Sequence, residues 1–241
     1  MSRKRTFVTG VVVGAGIAAF MWKLRRILPS PSYPQSWYNA FAHVYDYIGT
    51  TWFYRPMRQE TIRQLRLAPG HTVVDVACGT GQNFQYVVDR IGPEGLLIGV
   101  DYSTGMLDRA AQRIQRHGWR NVYLVHADAT LLSLDVLNAV LPRPVSQVDR
   151  IFSTLGLSVI PQWERAFEAM WNVLVPGGRC ALMDGYVPEP GFRRWFVNTV
   201  AAADVSRRFW EPLQERCADY EERVFSVWWG RIVVASGTKP Q

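Results

Sequence analysis

Acidic residues are missing from the first 45 positions of this 241-residue chain. That stretch holds Arg3, Lys4, Arg5, Lys23, Arg25 and Arg26 and supplies nearly all of the net charge of +7; the other 196 residues carry 21 bases against 20 acids. A near-neutral body is a poor electrostatic funnel for nucleic acid, so no nucleic-acid partner is expected, whereas a basic leader suits anionic lipid. Cysteine is scarce as well. Cys78, Cys180 and Cys217 are odd in number and show no metal-ligand spacing, which excludes a disulfide framework and predicts no metal site. They read as reduced thiols of an intracellular protein. With 48% hydrophobic residues the chain can still bury a sizeable core.

The leader also lacks a full-length apolar run. FVTGVVVGAGIAAFMW, residues 7–22, is uncharged but would span only about 24 Å as a helix, against a hydrocarbon core of about 30 Å. Basic residues at both ends can snorkel, and Trp22 stands where an interfacial aromatic belongs. A cleaved signal peptide, a transit sequence and a soluble helix are the alternatives. The bulky Phe20, Met21 and Trp22 followed by KLRR make a poor cleavage context. Residues 1–27 are therefore read as a membrane anchor, or else a leader, giving a single-pass protein whose body faces the cytoplasm. Gly10 and Gly14 form a small-residue face that would let two such helices meet as a dimer.

LPSPSYPQS, residues 28–36, has three prolines and three serines and reads as a linker, leaving residues 37–241 as the main domain. Helices are expected over 36–48 and 58–67. Strand and helix signals then alternate: strands at 73–77, 96–100, 122–126, 150–154 and 179–184, with helices between them. Residues 191–217 suggest one long helix. ERVFSVWWGRIVVASGT suggests two strands around a Trp229-Gly230 turn, hence an antiparallel edge. The fold class is α/β, a doubly wound, mostly parallel seven-stranded sheet with an antiparallel C-terminal strand.

Ligands of such sheets sit beyond the carboxyl ends of the strands, where the first strand-to-helix turn here is CGTGQN. A dinucleotide fingerprint needs a third glycine where this chain has Phe84, and a phosphate-cradling loop needs a Gly-Lys pair that is absent. A nicotinamide-dependent oxidoreductase is thereby disfavoured. Asp75 precedes the turn, Asp101 ends the second strand, where a carboxylate can accept both ribose hydroxyls, and Asp128 follows the third. Each acid alone is explained as a cap or turn residue. Together they make a negative site, suited to a sulfonium nucleoside and unsuited to a diphosphate.

VVDVACGTGQN, IGVDYSTGML, VHADAT and LVPGGRCALMD, in that order, resemble a class I S-adenosylmethionine-dependent methyltransferase over residues 36–240. The resemblance implies S-adenosylmethionine as cofactor, with Gly79 and Gly81 approaching its methionine part and Asp75 nearby. It also implies Asp101 on the ribose, Tyr102 and Met106 flanking adenine, and Asp128 with Ala129 at the adenine edge. Ala77 departs from the family, many members of which have glycine there. WYNAFAHVYD is similar to the cap helix of methyltransferases acting on quinone precursors and phospholipid head groups, which makes Tyr38, His43 and Tyr45 weak catalytic candidates; packing or exposure explains them equally well. No dedicated base is evident. The expected function is membrane-associated methylation of a lipophilic small molecule, a quinone or phenol precursor or a phospholipid amine. The alternative is a cofactor-binding assembly factor of a membrane complex.

Overall fold

The computed structural model describes residues 50–241. Helix α1 (Thr50–Gln64) leads into β1 (Thr72–Val76), α2 (Phe84–Ile91), β2 (Leu96–Asp101), α3 (Thr104–His117) and β3 (Val122–His126). A 3-10 turn (Ala129–Leu131) and α4 (Leu134–Asn138) precede β4 (Val148–Thr154), α5 (Trp163–Val173), β5 (Leu174–Tyr186), α6 (Phe192–Ala201), α7 (Glu211–Arg216), β6 (Glu221–Val227) and β7 (Gly230–Thr238).

The seven strands lie in the order β3-β2-β1-β4-β5-β7-β6. β1 to β5 pair in parallel, and β7 runs antiparallel to both β5 and β6. Strand order reverses between β1 and β4, so their carboxyl ends diverge into a crevice. Register fixes what meets there: Val76 pairs with Val100 on one side and Ser153 on the other, and Asp101 pairs with His126. The runs VVDV and LLIGV are buried on both faces, which is why they read as near-continuous apolar strands.

One face packs against α5 through Ala166, Phe167 and Met170, and the other packs Ile62, Phe84, Val87 and Ala110 from α1, α2 and α3, with Leu65 just after α1. α3 is delimited as its sequence suggests. The Ser103 hydroxyl accepts from the Met106 amide at 3.2 Å, and Gly118 closes the helix in the left-handed region at φ 67°.

Several expectations need correction. The first helix begins ahead of residue 58 and tolerates Pro56 in its interior. Residues 191–217 do not form one helix. Ala202 turns left-handed at φ 50°, the Asn198 side chain accepts from the Val205 amide, and Asp204 accepts from Ser206. Arg207 then reaches the carbonyls of Leu157 and Ile160, so side-chain bonds break a segment whose apolar spacing continues through it. β5 starts at Leu174 and absorbs the Pro-Gly-Gly that reads as a stop. Among the described residues no helix is long and apolar enough to cross a membrane. The leader 7–22 with its small-residue face, the linker 28–36 and the helix expected over 36–48 all lie outside the described residues.

Candidate functional site

The turn after β1 is built from backbone, and its acid partner comes from β2. Cys78 donates its amide to the Val100 carbonyl at 3.0 Å, and Gly79 donates its amide to Asp101 Oδ2 at 2.8 Å. Asp101 Oδ1 accepts from the Ser103 amide at 2.8 Å. Both carboxylate oxygens are thereby oriented, with lone pairs left for a ligand. Burial pushes the Asp101 carboxyl above the usual carboxylate range, against the backbone amides that hold it down.

Gly79 and Gly81 both take positive φ, 56° and 74°. A methyl group on Gly79 would meet nothing within 4 Å, so the space above the turn is open to a ligand's close approach. On Gly81 it would lie 2.6 Å from the Phe84 ring. Phe84 is fully buried and also fills the space over Gly99. A large ring thus occupies the place where a dinucleotide fold needs a third glycine.

Ala77 stands at φ 56°, a conformation that costs an L-residue about 1 kcal/mol. Ala77→Gly should therefore raise stability by up to about 1 kcal/mol without weakening ligand binding. Paired denaturation and binding curves check this, and a loss of stability would show that packing of the Ala77 methyl outweighs the strain.

Beneath the turn lies a buried polar network that the sequence reading missed. Arg58 of α1, only 5% exposed, donates to Asn83 Oδ1 at 2.9 Å and Thr154 Oγ1 at 2.8 Å. Asn83 passes the chain on to Asp75 Oδ2 at 3.0 Å. Arg58 Nε and Asp75 Oδ1 have no hydrogen-bond partner among the described residues. The hint in the sequence is that Arg58 and Glu60 lie between Met57 and Ile62 on α1.

Burial pushes the Asp75 carboxyl up to about 7. The folded state therefore holds this proton more tightly than the unfolded chain, where the group titrates near 3.8. The resulting stability is complete below pH 4 and is lost as pH rises to about 7, a change on the order of 4 kcal/mol. Asp75→Asn keeps an acceptor for Asn83 and removes the titration. Its advantage over the parent protein should grow between pH 4 and 7, as read by urea unfolding at each pH; a constant difference would contradict the burial argument.

The cavity over these strand ends encloses about 920 Å³ including its open mouth. Of the residues predicted from sequence, Ala77, Gly79, Asp101, Tyr102, Met106, Asp128 and Ala129 line it, whereas Asp75 and Gly81 lie beneath. Asp128 caps the 3-10 turn, its Oδ1 accepting from the Thr130 amide at 2.9 Å and its hydroxyl at 2.8 Å. Arg58, Thr154, Leu155, Val159 and Ile160 complete the opposite wall. Leu155 is left-handed at φ 59°, an uncommon conformation for a bulky side chain. Tyr38, His43 and Tyr45 lie outside the described residues.

A family model described as a methyltransferase domain matches residues 73–178, the stretch that builds this cavity. Residues 73–178 are thus a methyltransferase domain, of the class I S-adenosylmethionine-dependent type. Among curated relatives, the demethylmenaquinone methyltransferase of Listeria welshimeri is 32% identical over 140 residues, 58% of this chain and 56% of that protein. The chain therefore matches little more than half of that relative's length. The demethylmenaquinone methyltransferase of Desulfitobacterium hafniense is 24% identical across 87% of this chain and 91% of its own. Among solved structures, Haemonchus contortus phosphoethanolamine N-methyltransferase 2, bound to phosphomonomethylethanolamine and S-adenosylhomocysteine, superposes with a TM-score of 0.61 at 15% identity. That match covers 77% of this chain and 53% of the other, and at such identity it reports the fold of the methyltransferase domain alone.

Proposed function

We propose that the protein methylates a lipophilic quinone precursor of the demethylmenaquinone type, using S-adenosylmethionine held over the ends of β1, β2 and β3. The carrying observation is the polarity of the cavity. Asp101 and Asp128 stand on one wall, and Leu155, Val159 and Ile160 on the other. The donor set fits the cofactor: two acids for a cationic nucleoside, open space above Gly79, and one buried guanidinium with an unpartnered nitrogen for its carboxylate end.

In this reading Asp101 accepts both ribose hydroxyls, Tyr102 and Met106 flank the adenine, and Asp128 with Ala129 meets its edge. Gly79 admits the methionine part, the Gly81 turn shapes that approach, and Asp75 orders Asn83 under it. Bound S-adenosylmethionine supplies an electrophilic methyl group. The chain's own contribution is placement of an acceptor in line with that methyl, with water excluded by the apolar wall. An electron-rich ring carbon of a reduced quinone would become nucleophilic as its phenol gives up a proton to a base or to water, and after methyl transfer the same carbon would release its own proton to restore the ring. The curated relatives are named as enzymes, which leaves the assembly-factor alternative unfavoured. Residues 7–22 serve as a membrane anchor in the same reading, which their uncharged composition and basic flanks support. Equal basic flanks do not set its orientation, and the domain is placed in the cytoplasm because the cofactor pool is there.

The test is transfer of isotopic methyl from S-adenosylmethionine by the purified full-length protein. Reduced demethylmenaquinone and phosphatidylethanolamine, each in vesicles, are offered as competing acceptors. Label should enter the quinone. Label in the amine lipid, or in neither, would refute the assignment.

A further inference from the structure

A second surface adjoins the cavity at the carboxyl end of the sheet. Phe192 and Trp195 of α6 are 74% and 58% exposed, and Trp228 at the tip of the β6–β7 hairpin is 73% exposed. Phe192 lies 5.7 Å from the Trp195 ring and 6.0 Å from Phe196, so the α6 rings form one aromatic edge. The hairpin tip points its two tryptophans in different directions. Trp229 is buried against Gly185 and Val205, while Trp228 faces water. Trp229, Val187 and Val205 share a cluster with Val197 of α6 and with Leu155, which lines the cavity. The core beneath the aromatic edge thus continues to a residue of the cavity wall, and both lie at the carboxyl end of the sheet.

Within α6 and the hairpin tip the charged residues are all basic. α6 and residues 223–231 carry Arg193, Arg194, Arg223 and Arg231 and no acid; the nearest acid in the chain before α6 is Glu189. Arg223 pairs with Glu60 at 3.1 Å. Arg194 donates to the carbonyls of Val187 and Pro188 and so keeps its charge. Exposed aromatic rings beside Arg193, Arg194 and Arg231 have the composition of a membrane interface: rings suit the headgroup level, and each guanidinium near an anionic surface raises affinity about fivefold. Water is a poor partner for such a patch.

We propose that the α6 aromatic edge and Trp228 insert into the headgroup region of an anionic lipid bilayer and set the cavity mouth against the membrane. The inference rests on the reading that the acceptor is lipophilic, because it supplies the route by which such an acceptor would enter without crossing water.

Full-length protein labelled with an environment-sensitive fluorophore at Trp195→Cys or Trp228→Cys tests this. The native cysteines are buried. Glu94→Cys, in the exposed turn ahead of β2 at the opposite end of the sheet, is the control. On phosphatidylcholine–phosphatidylglycerol vesicles the labels at 195 and 228 should shift to the blue and be quenched by a lipid-borne nitroxide. The label at 94 should stay water-like. Neutral vesicles or high salt should weaken the shift; an undiminished shift on neutral vesicles would overturn the choice of an anionic surface. Water-like labels at 195 and 228 on vesicles that carry the protein would overturn the proposal. Labels already shielded before vesicles are added would also overturn it, since another part of the chain or a second copy would then cover the edge. The measurement needs no acceptor, so its failure is distinguishable from failure of quinone methylation.

Discussion

Asp101→Ala is expected to lower S-adenosylmethionine affinity by a factor on the order of hundreds to ten thousand while leaving the domain folded. Two charge-assisted hydrogen bonds to ribose hydroxyls are lost, each worth roughly 1.5–3 kcal/mol. The structure adds a second reason. Asp101 Oδ2 accepts from the Gly79 amide at 2.8 Å, so the same substitution releases the turn that shapes the methionine end. Asp101→Asn separates the two effects, since it retains an acceptor for Gly79 and loses the charge. Its affinity should fall between those of the parent and the alanine variant. Calorimetric titration of both variants, with far-UV dichroism confirming the fold, reads the outcome. Unchanged affinity in folded Asp101→Ala would mean that the ribose lies elsewhere.

Arg179→Met should cost about 2–3 kcal/mol of stability with cofactor affinity of the folded protein unchanged. Arg179 is 2% exposed at the start of β5. It donates to the Gln64 carbonyl at 2.5 Å, Asp219 Oδ2 at 2.5 Å, Thr238 Oγ1 at 2.9 Å, Ser236 Oγ at 2.9 Å and Glu221 Oε1 at 3.0 Å. One side chain thus joins the end of α1 to β6, β7 and the turn before them. Methionine matches its length but leaves the Gln64 carbonyl and the buried Ser236 hydroxyl without a donor. The two carboxylates are 39% and 33% exposed and can recover water, which holds the expected cost below that of a fully buried pair. Arg179 pairs with Arg150 at the start of β4, at the far end from Thr154 and the cavity, so binding should survive. Urea unfolding gives the stability change; a loss under about 0.5 kcal/mol would show the bonds to be offset by desolvation.

What was legible in the sequence follows from where each residue's environment is decided. β3 matches its expected bounds, and the C-terminal hairpin is present, because strand periodicity and a short turn are local signals. Its two-residue turn is Trp228-Trp229, one position ahead of the expected Trp229-Gly230, since Gly230 already pairs with Val227. Asp101 and Gly79 were legible as an acid at a strand end and a glycine in the turn; their mutual bond needed the register of β1 against β2. Arg58 was not legible, since an arginine on a helix ordinarily reads as solvated. Its burial comes from Asn83 and Thr154, distant in sequence. The break after Ala201 was hidden for the same reason: Arg207 bonds to a loop some 50 residues earlier.

The central claim is that this cavity takes an adenosyl sulfonium and not a dinucleotide. Calorimetric titration of the full-length protein with S-adenosylmethionine, S-adenosylhomocysteine and NAD tests it most directly. The account predicts saturable one-to-one binding of the first two, abolished or strongly weakened by Asp101→Ala, and no heat of binding from NAD. Saturable NAD binding with no response to either sulfur nucleoside would contradict it.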